Sequence, residues 1–171
     1  MNAQTGTLEQ TSSTFNVNSE KGFSQIGAKM DDGTVYAGIS PVTGEGLYVA
    51  PQPSPEPGYF KWQEAMEYAE ELDAHNYSDW RLPTKEEFRV LKTNQYKGAL
   101  KDLFDKKGNY PTGHYWSSDE NFHRDSAYVQ KFGDYGSGDF SKACSGYVRA
   151  VRTGPALPNL PELPTATTIA P

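Results

Sequence analysis

The stretch DWRLPTKEEF, residues 79–88, constrains the fold of this chain more than any other. Pro83 fixes its own φ and keeps Leu82 out of the helical region, so the chain arrives extended. Thr84 and Glu87 then match the S/T-x-x-E capping box, in which each side chain satisfies a backbone N–H of the other. A helix is expected from Lys85 to about Lys92, with Phe88 and Leu91 facing a core. Before the proline, Trp80 and Leu82 alternate with Arg81, so the two apolar residues should pack inward along a short strand. Arg81 is expected to be a structural cation paired to a carboxylate. The stretch therefore reads as a junction rather than a site.

Upstream, YFKWQEAMEYAEELDAH reads as a second helix. Trp62, Ala65, Met66, Ala69 and Leu72 form one apolar stripe at the helical period, while Glu64, Glu67, Glu70 and Glu71 form a solvated face. HNYSD ends it in a polar turn. From Phe23 to Val49, short runs rich in Val, Ile, Tyr and Gly are separated by Asp32-Gly33 and Thr43-Gly44-Glu45-Gly46, which predicts two or three short strands with a hairpin. Prolines at 51, 53, 55 and 57 make residues 51–57 an extended linker. Residues 94–112 read as a connection with a short helical piece at KGALKDLF. From His114 onward the pattern is β. HYWSS, AYVQKFGD and GYVRAVR are strand candidates, separated by the loops DENFHRDS and YGSGDFSKACS. In the last strand Tyr147, Arg149 and Val151 should share one face and Val148, Ala150 and Arg152 the other.

A chain of 171 residues suits one domain with arms. Its apolar share is 36%, yet it carries 11 Tyr, 8 Phe and 3 Trp, so aromatics are expected to supply much of the burial and an ordered centre is expected. The net charge is −6 with no block of Lys and Arg, which argues against nucleic acid as a partner. The single cysteine, Cys144, rules out an internal disulfide and a Cys-based zinc cluster. The first residues lack the basic start and apolar run of a signal peptide, and no apolar stretch reaches the length of a membrane span. Synthesis in the cytoplasm without membrane insertion is expected; assembly there into a virus particle fits equally well. Residues 1–20 read as a polar arm and residues 154–171 as a proline-rich one. In the second, Leu157, Leu160 and Leu163 repeat at the polyproline II period, suited to lying along a neighbouring subunit.

Catalytic candidates are weak. His75, His114 and His123 lack metal-ligand spacing, and no metal or cofactor is expected. Ser117, His123 and Asp125 make a triad on paper, without a nucleophile elbow around the serine. Cys144, in KACSG, is expected to be a small buried thiol. DYGSGD and DENFHRD offer oxygen ligands but fit no calcium loop, and GDYGSG lies between strands rather than before a helix that would bind phosphate. What remains is a surface. Residues 114–142 are rich in Tyr, Trp, Ser, Asn, Asp, His and Gly, the mix of binding loops. Trp116 and Phe132 are expected in the core. Asn121, His123, Arg124, Asp125, Tyr135, Ser137 and Asp139 are expected on exposed loops as candidate ligand-binding residues, with no catalytic residue among them.

The order of these signals carries a resemblance. A helix W-x-x-A-x-x-Y-A-x-x-L, then DWRLPTKEEFRVL, YWSS, AYVQKF and GYVRAVR, resembles the bacterial and phage domain family found at the C-terminus of Lcl-type collagen-like surface proteins, over about residues 20–153. It is also similar to the wider C-type-lectin-like fold, which includes formylglycine-generating enzymes and the variable proteins of diversity-generating retroelements. The resemblance implies an α+β, C-type-lectin-like fold: two helices packed on a small, twisted, mostly antiparallel sheet, with long loops between the late strands, and a ligand face at about 116–149. The calcium-dependent sugar motifs of animal lectins are absent, as are the paired cysteines of the formylglycine-generating enzymes. The expectation is an N-terminal arm (1–20), a C-type-lectin-like domain (21–153) and a C-terminal arm (154–171). The expected function is a non-enzymatic binding and display module within a larger assembly such as a phage virion, as a decoration, tail or fibre-associated protein. It would take a protein or glycan ligand through the late loops and neighbouring subunits through the arms. The alternatives are a cytoplasmic ligand-binding protein with diversified loops, and an enzyme of the formylglycine-generating-like fold with a non-standard site.

Overall fold

The structure is a computed structural model that describes residues 25–51, 58–106, 113–133 and 136–158. Its elements are β1 (Val35–Ile39), β2 (Gly46–Val49), α1 (Trp62–Glu70), α2 (Lys85–Asn94), a 3₁₀ turn (Gly98–Asp102), β3 (His114–Glu120), β4 (Ser126–Lys131), β5 (Ser137–Ser141) and β6 (Val151–Gly154). The fold is α+β, as expected, and its strands divide between two three-stranded sheets, β1-β2-β6 and β3-β4-β5, with every neighbouring pair antiparallel. The N-terminal arm, linker residues 52–57 and residues 159–171 lie outside the described residues.

Local chemistry explains the elements. The Asp32 carboxylate accepts both the N–H and the hydroxyl of Thr34, at 2.8 and 2.7 Å, and turns the chain into β1. The β1–β2 hairpin closes through Ser40 N–H to the Glu45 carbonyl at 2.8 Å. Helix α1 begins where the Lys61 N–H meets the Glu64 carboxylate at 3.0 Å. It buries Trp62, Ala65 and Ala69, half-buries Met66 and Leu72, and leaves its glutamates in solvent. The α2 capping box forms as the sequence predicts: the Glu87 N–H donates to the Thr84 hydroxyl and the Thr84 N–H to the Glu87 carboxylate. The helix runs past Lys92 to Asn94 because the Asn94 side-chain amide is buried and donates to the Ala37 carbonyl at 3.0 Å.

Two apolar clusters form the interior. One gathers Val35, Leu47, Val49, Phe88, Leu91, Leu100, Tyr115, Phe132 and Val151; the other gathers Trp62, Ala65, Trp80, Leu82, Trp116, Val129, Val148 and Ala150. Strands β3 and β4 lie between them, since Tyr115 and Tyr128 belong to the first and Trp116, Ala127 and Val129 to the second. Residues 147–151 do the same: Tyr147 and Val151 face one cluster, Val148 and Ala150 the other.

Two expectations need correction. GYVRAVR is not one strand. Tyr147 bonds to His114 and Trp116 beside β3, whereas Ala150 bonds to Ala50 and Val151 to Arg81, so the segment changes partners and a regular ladder begins only at Val151. YGSGDFSKACS is not wholly loop: Ser137–Ser141 is strand β5, imposed on a Gly- and Ser-rich sequence by its pairing with β4. Gly154 ends β6, and the Tyr48 hydroxyl donates to the Pro155 carbonyl at 2.6 Å.

Candidate ligand face

Residues 79–87 set the geometry around which the exposed face is built. Glu87 is fully buried, and its carboxylate takes two bonds from the Arg81 guanidinium at 2.7 Å each, one from the Ser40 hydroxyl at 2.7 Å and one from the Thr84 N–H at 2.9 Å. Burial pushes the Glu87 carboxyl up, and the bonds from Arg81, Thr84 and Ser40 together outweigh it, holding the group below the ordinary glutamate range. The Arg81 guanidinium is pushed up by its bonds to Glu87. Trp80 and Leu82 are buried as expected, and the Trp80 indole N–H donates to the Ala74 carbonyl at 3.0 Å. The same segment grips the outer half of β3. The Ser118 N–H donates to the Pro83 carbonyl at 2.9 Å, and the Lys85 N–H to the Asp119 carboxylate at 2.5 Å.

Beyond that grip the β3–β4 connection, residues 121–125, projects from the sheet. Its backbone is closed by Asn121 N–H to the Ser126 carbonyl at 2.9 Å and Arg124 N–H to the Asn121 carbonyl at 3.0 Å. Arg124 sits at φ 41°, in the left-handed region that L-residues other than Asn and Asp avoid. At the foot, the Asp125 carbonyl accepts the Lys142 N–H at 2.9 Å. The Lys142 ammonium lies 3.0 Å from Glu120 and 4.1 Å above the Trp62 ring, a cation–π contact that ties the tip to α1. His123, Arg124 and Asp125 are exposed on this anchored turn, and Phe122 is 92% exposed.

The sequence-predicted residues form a strip rather than a compact pocket. His123, Arg124 and Asp125 share the tip. Asp139 and Ser137 are exposed as expected, but on β5, where they pair with Tyr128 and Gln130. Since Ser141 pairs with Ser126 next to the tip, Ser137 lies four residues further along, about 13 Å away. Asn121 corrects the expectation of exposure: it is half-buried, and its side-chain carbonyl accepts the Phe122 N–H at 2.5 Å, so it shapes the turn. Tyr135 lies outside the described residues. Phe122 was missed; the available signal was a large apolar residue alone in a polar run, DENFHRD.

Ser117 is fully buried and its hydroxyl accepts the Asp119 N–H at 3.0 Å, so it does not face solvent beside the exposed His123 and Asp125. His114 is buried, its ring centroid 4.8 Å from that of Phe140. Cys144 is half-buried against the second cluster rather than fully enclosed. Trp116 and Phe132 are core residues, as expected. Among the described residues, no group of three or more His, Cys, Asp or Glu comes together to hold a metal ion, and no helix is long and apolar enough to cross a membrane.

A family model for the Lcl C-terminal domain matches residues 40–152, well over half of the chain. The chain belongs to that family. No curated protein matches it.

Proposed function

We propose that this member of the Lcl C-terminal domain family is a non-enzymatic binding and display module with a C-type-lectin-like fold, presenting the β3–β4 tip and the neighbouring strand β5 to a protein or glycan ligand. The fold assignment is supported by two helices, antiparallel strands, and a last strand that returns to pair with the N-terminal hairpin. One observation carries the function: a 92%-exposed phenylalanine flanked by exposed His123 and Arg124, on a turn whose foot is fixed to both the junction and α1. An exposed aromatic beside a cation, on a turn whose backbone is fixed at its foot, suits a binding anchor. The proline-rich composition of the C-terminal arm and its apolar repeat at Leu157, Leu160 and Leu163 support a role as a component of a larger assembly such as a virion.

The test compares the full chain with a Phe122→Ser/Arg124→Ala variant on a printed glycan array and against a displayed peptide library. Retention of the full chain on either, lost in a variant with an unchanged thermal midpoint, supports the tip as the anchor. Equal retention of the variant, or no retention of the full chain on either, overturns it.

A further inference from the structure

Strand β5 has one paired edge. Its five register pairs with β4 run without a bulge from Ser126↔Ser141 to Gln130↔Ser137. The Lys131 N–H bonds to the Gly136 carbonyl at one end, and the Lys142 N–H to the Asp125 carbonyl at the other. In an antiparallel ladder the bonded pairs alternate, so residues 136, 138, 140 and 142 turn their backbone groups toward β4. Ser137, Asp139 and Ser141 therefore turn theirs outward. Of these outward groups, the Ser141 carbonyl takes the Cys144 N–H at 2.8 Å; the others have no partner among the described residues. β5 is last in its sheet, opposite β3. Proline, bulge and lysine, which often blunt such an edge, are absent from its five residues, and Asp139 is its one charged side chain.

The side chains select what can be added. Asp139 is exposed at the centre of the strand, between exposed Ser137 and Ser141. Its carboxylate makes no ion pair among the described residues; the nearby Lys85 ammonium lies 5.0 Å over the ring of Tyr128, the cross-strand neighbour of Asp139. A second copy of this chain in the fully overlapping antiparallel register would set Asp139 directly opposite Asp139, a destabilising like-charge pair. A strand with Lys or Arg at that position gains the opposite-charge pair instead.

We infer that β5 is a strand-addition site that takes an extended segment of another protein carrying a central lysine or arginine, through the outward N–H and C=O groups of Ser137 and Asp139 and the carboxylate of Asp139. The inference rests on the binding-module reading and deepens its β5 part; because the tip is tested by its own variant, the two fail separately.

The probe is a set of acetylated, amidated heptapeptides on an alternating Thr-Val frame that differ only at the central residue: Lys, Ser or Glu. Binding to the full chain is read by fluorescence anisotropy, and the site by amide exchange of Ser137, Asp139 and Ser141. The Lys peptide is expected to bind about fivefold tighter than the Glu peptide, and Asp139→Lys to reverse that order. Protection of the Ser137 and Asp139 amides by the Lys peptide is expected in the Phe122→Ser/Arg124→Ala variant too, which separates this site from the tip. Absence of protection by any of the peptides overturns the inference, as does an affinity order that Asp139→Lys leaves unchanged. Sedimentation of the peptide-free chain covers the other occupant: a dimer lost in Asp139→Pro would assign the edge to a second copy and overturn the choice of partner.

Discussion

Glu87 is the residue on which the junction depends. A buried carboxylate is costly unless its lone pairs are filled, and here Arg81, Ser40 and Thr84 fill them. Glu87→Gln is expected to lower stability by about 3 kcal/mol, read from urea unfolding at neutral pH. Arg81→Met leaves the carboxylate buried without its cation and should cost a similar amount, while Arg81→Met/Glu87→Leu should cost less than the sum of the two single changes. The pH dependence has a definite sign. Because the folded-state pKa of Glu87 lies below its unfolded value, its stabilisation is complete above the unfolded pKa of about 4.3 and disappears as pH falls through the folded value. Asp32, lowered by Thr34 against the opposing effect of burial, contributes with the same sign. Stability should therefore drop on acidification below about pH 4.3, and Glu87→Gln should make that acid limb shallower without abolishing it. Trp80, 2% exposed, gives a second measure of the junction: Trp80→Ala should cost about 3–5 kcal/mol, and a variant of unchanged stability would show that the indole does not hold this corner together.

At the scale of elements, what could be read from the sequence depended on whether a segment's structure is fixed locally. Helix α2 was legible because Pro83, Thr84 and Glu87 encode its start within five residues, and the inward packing of Trp80 and Leu82 followed from simple alternation. Strand β5 was not legible. Ser-Gly-Asp-Phe-Ser has the composition of a turn, and only the β4 ladder, formed by residues further back in the chain, makes it a strand. The break in GYVRAVR was hidden for the same reason: alternation tells which face a side chain takes, as it does for Tyr147 and Val148, but not that the backbone changes partners. The candidate site was legible as exposure and illegible as arrangement, because the spread of about 13 Å along β5 from the tip end to Ser137 is set by register. Gly146 tests the partner change directly. It exchanges backbone bonds with Phe60, and a Cβ there would lie 2.9 Å from the Trp116 indole nitrogen and 3.0 Å from the His114 carbonyl. Gly146→Ala should cost about 1–3 kcal/mol in chemical denaturation. Phe122→Ser, at the exposed tip, should change stability by less than about 0.5 kcal/mol in the same assay.

At the scale of the molecule, the last described segment joins the two sheets. β6 pairs with β2 along Gly46↔Gly154 to Val49↔Val151, so an element from the end of the domain completes the sheet begun by its first hairpin. Val151 also exchanges both backbone bonds with Arg81, at 2.9 and 3.0 Å, which ties this sheet to the junction that grips β3. Arg152 bonds to Asp79 at 2.8 Å and lies 3.6 Å over the Tyr77 ring. These contacts link residues that are distant in the chain, Tyr48 and Pro155 being 107 positions apart, so little of this wall can form before the C-terminal segment docks. Residues 1–150 alone are therefore expected to lack a cooperative thermal transition and to lose the near-ultraviolet dichroism of the packed aromatics, because Leu47, Val49 and the Arg81 backbone would lose their partners together. Val151→Ala in the full chain keeps the backbone pairing and removes only buried methyl groups. It should cost about 2 kcal/mol while unfolding stays two-state. The contrast separates loss of packing from loss of the wall. If residues 1–150 melt as sharply as the full chain and within a few degrees of it, the last strand decorates the domain, and the junction at residues 79–87 must be sufficient to hold the tip and β5 in place.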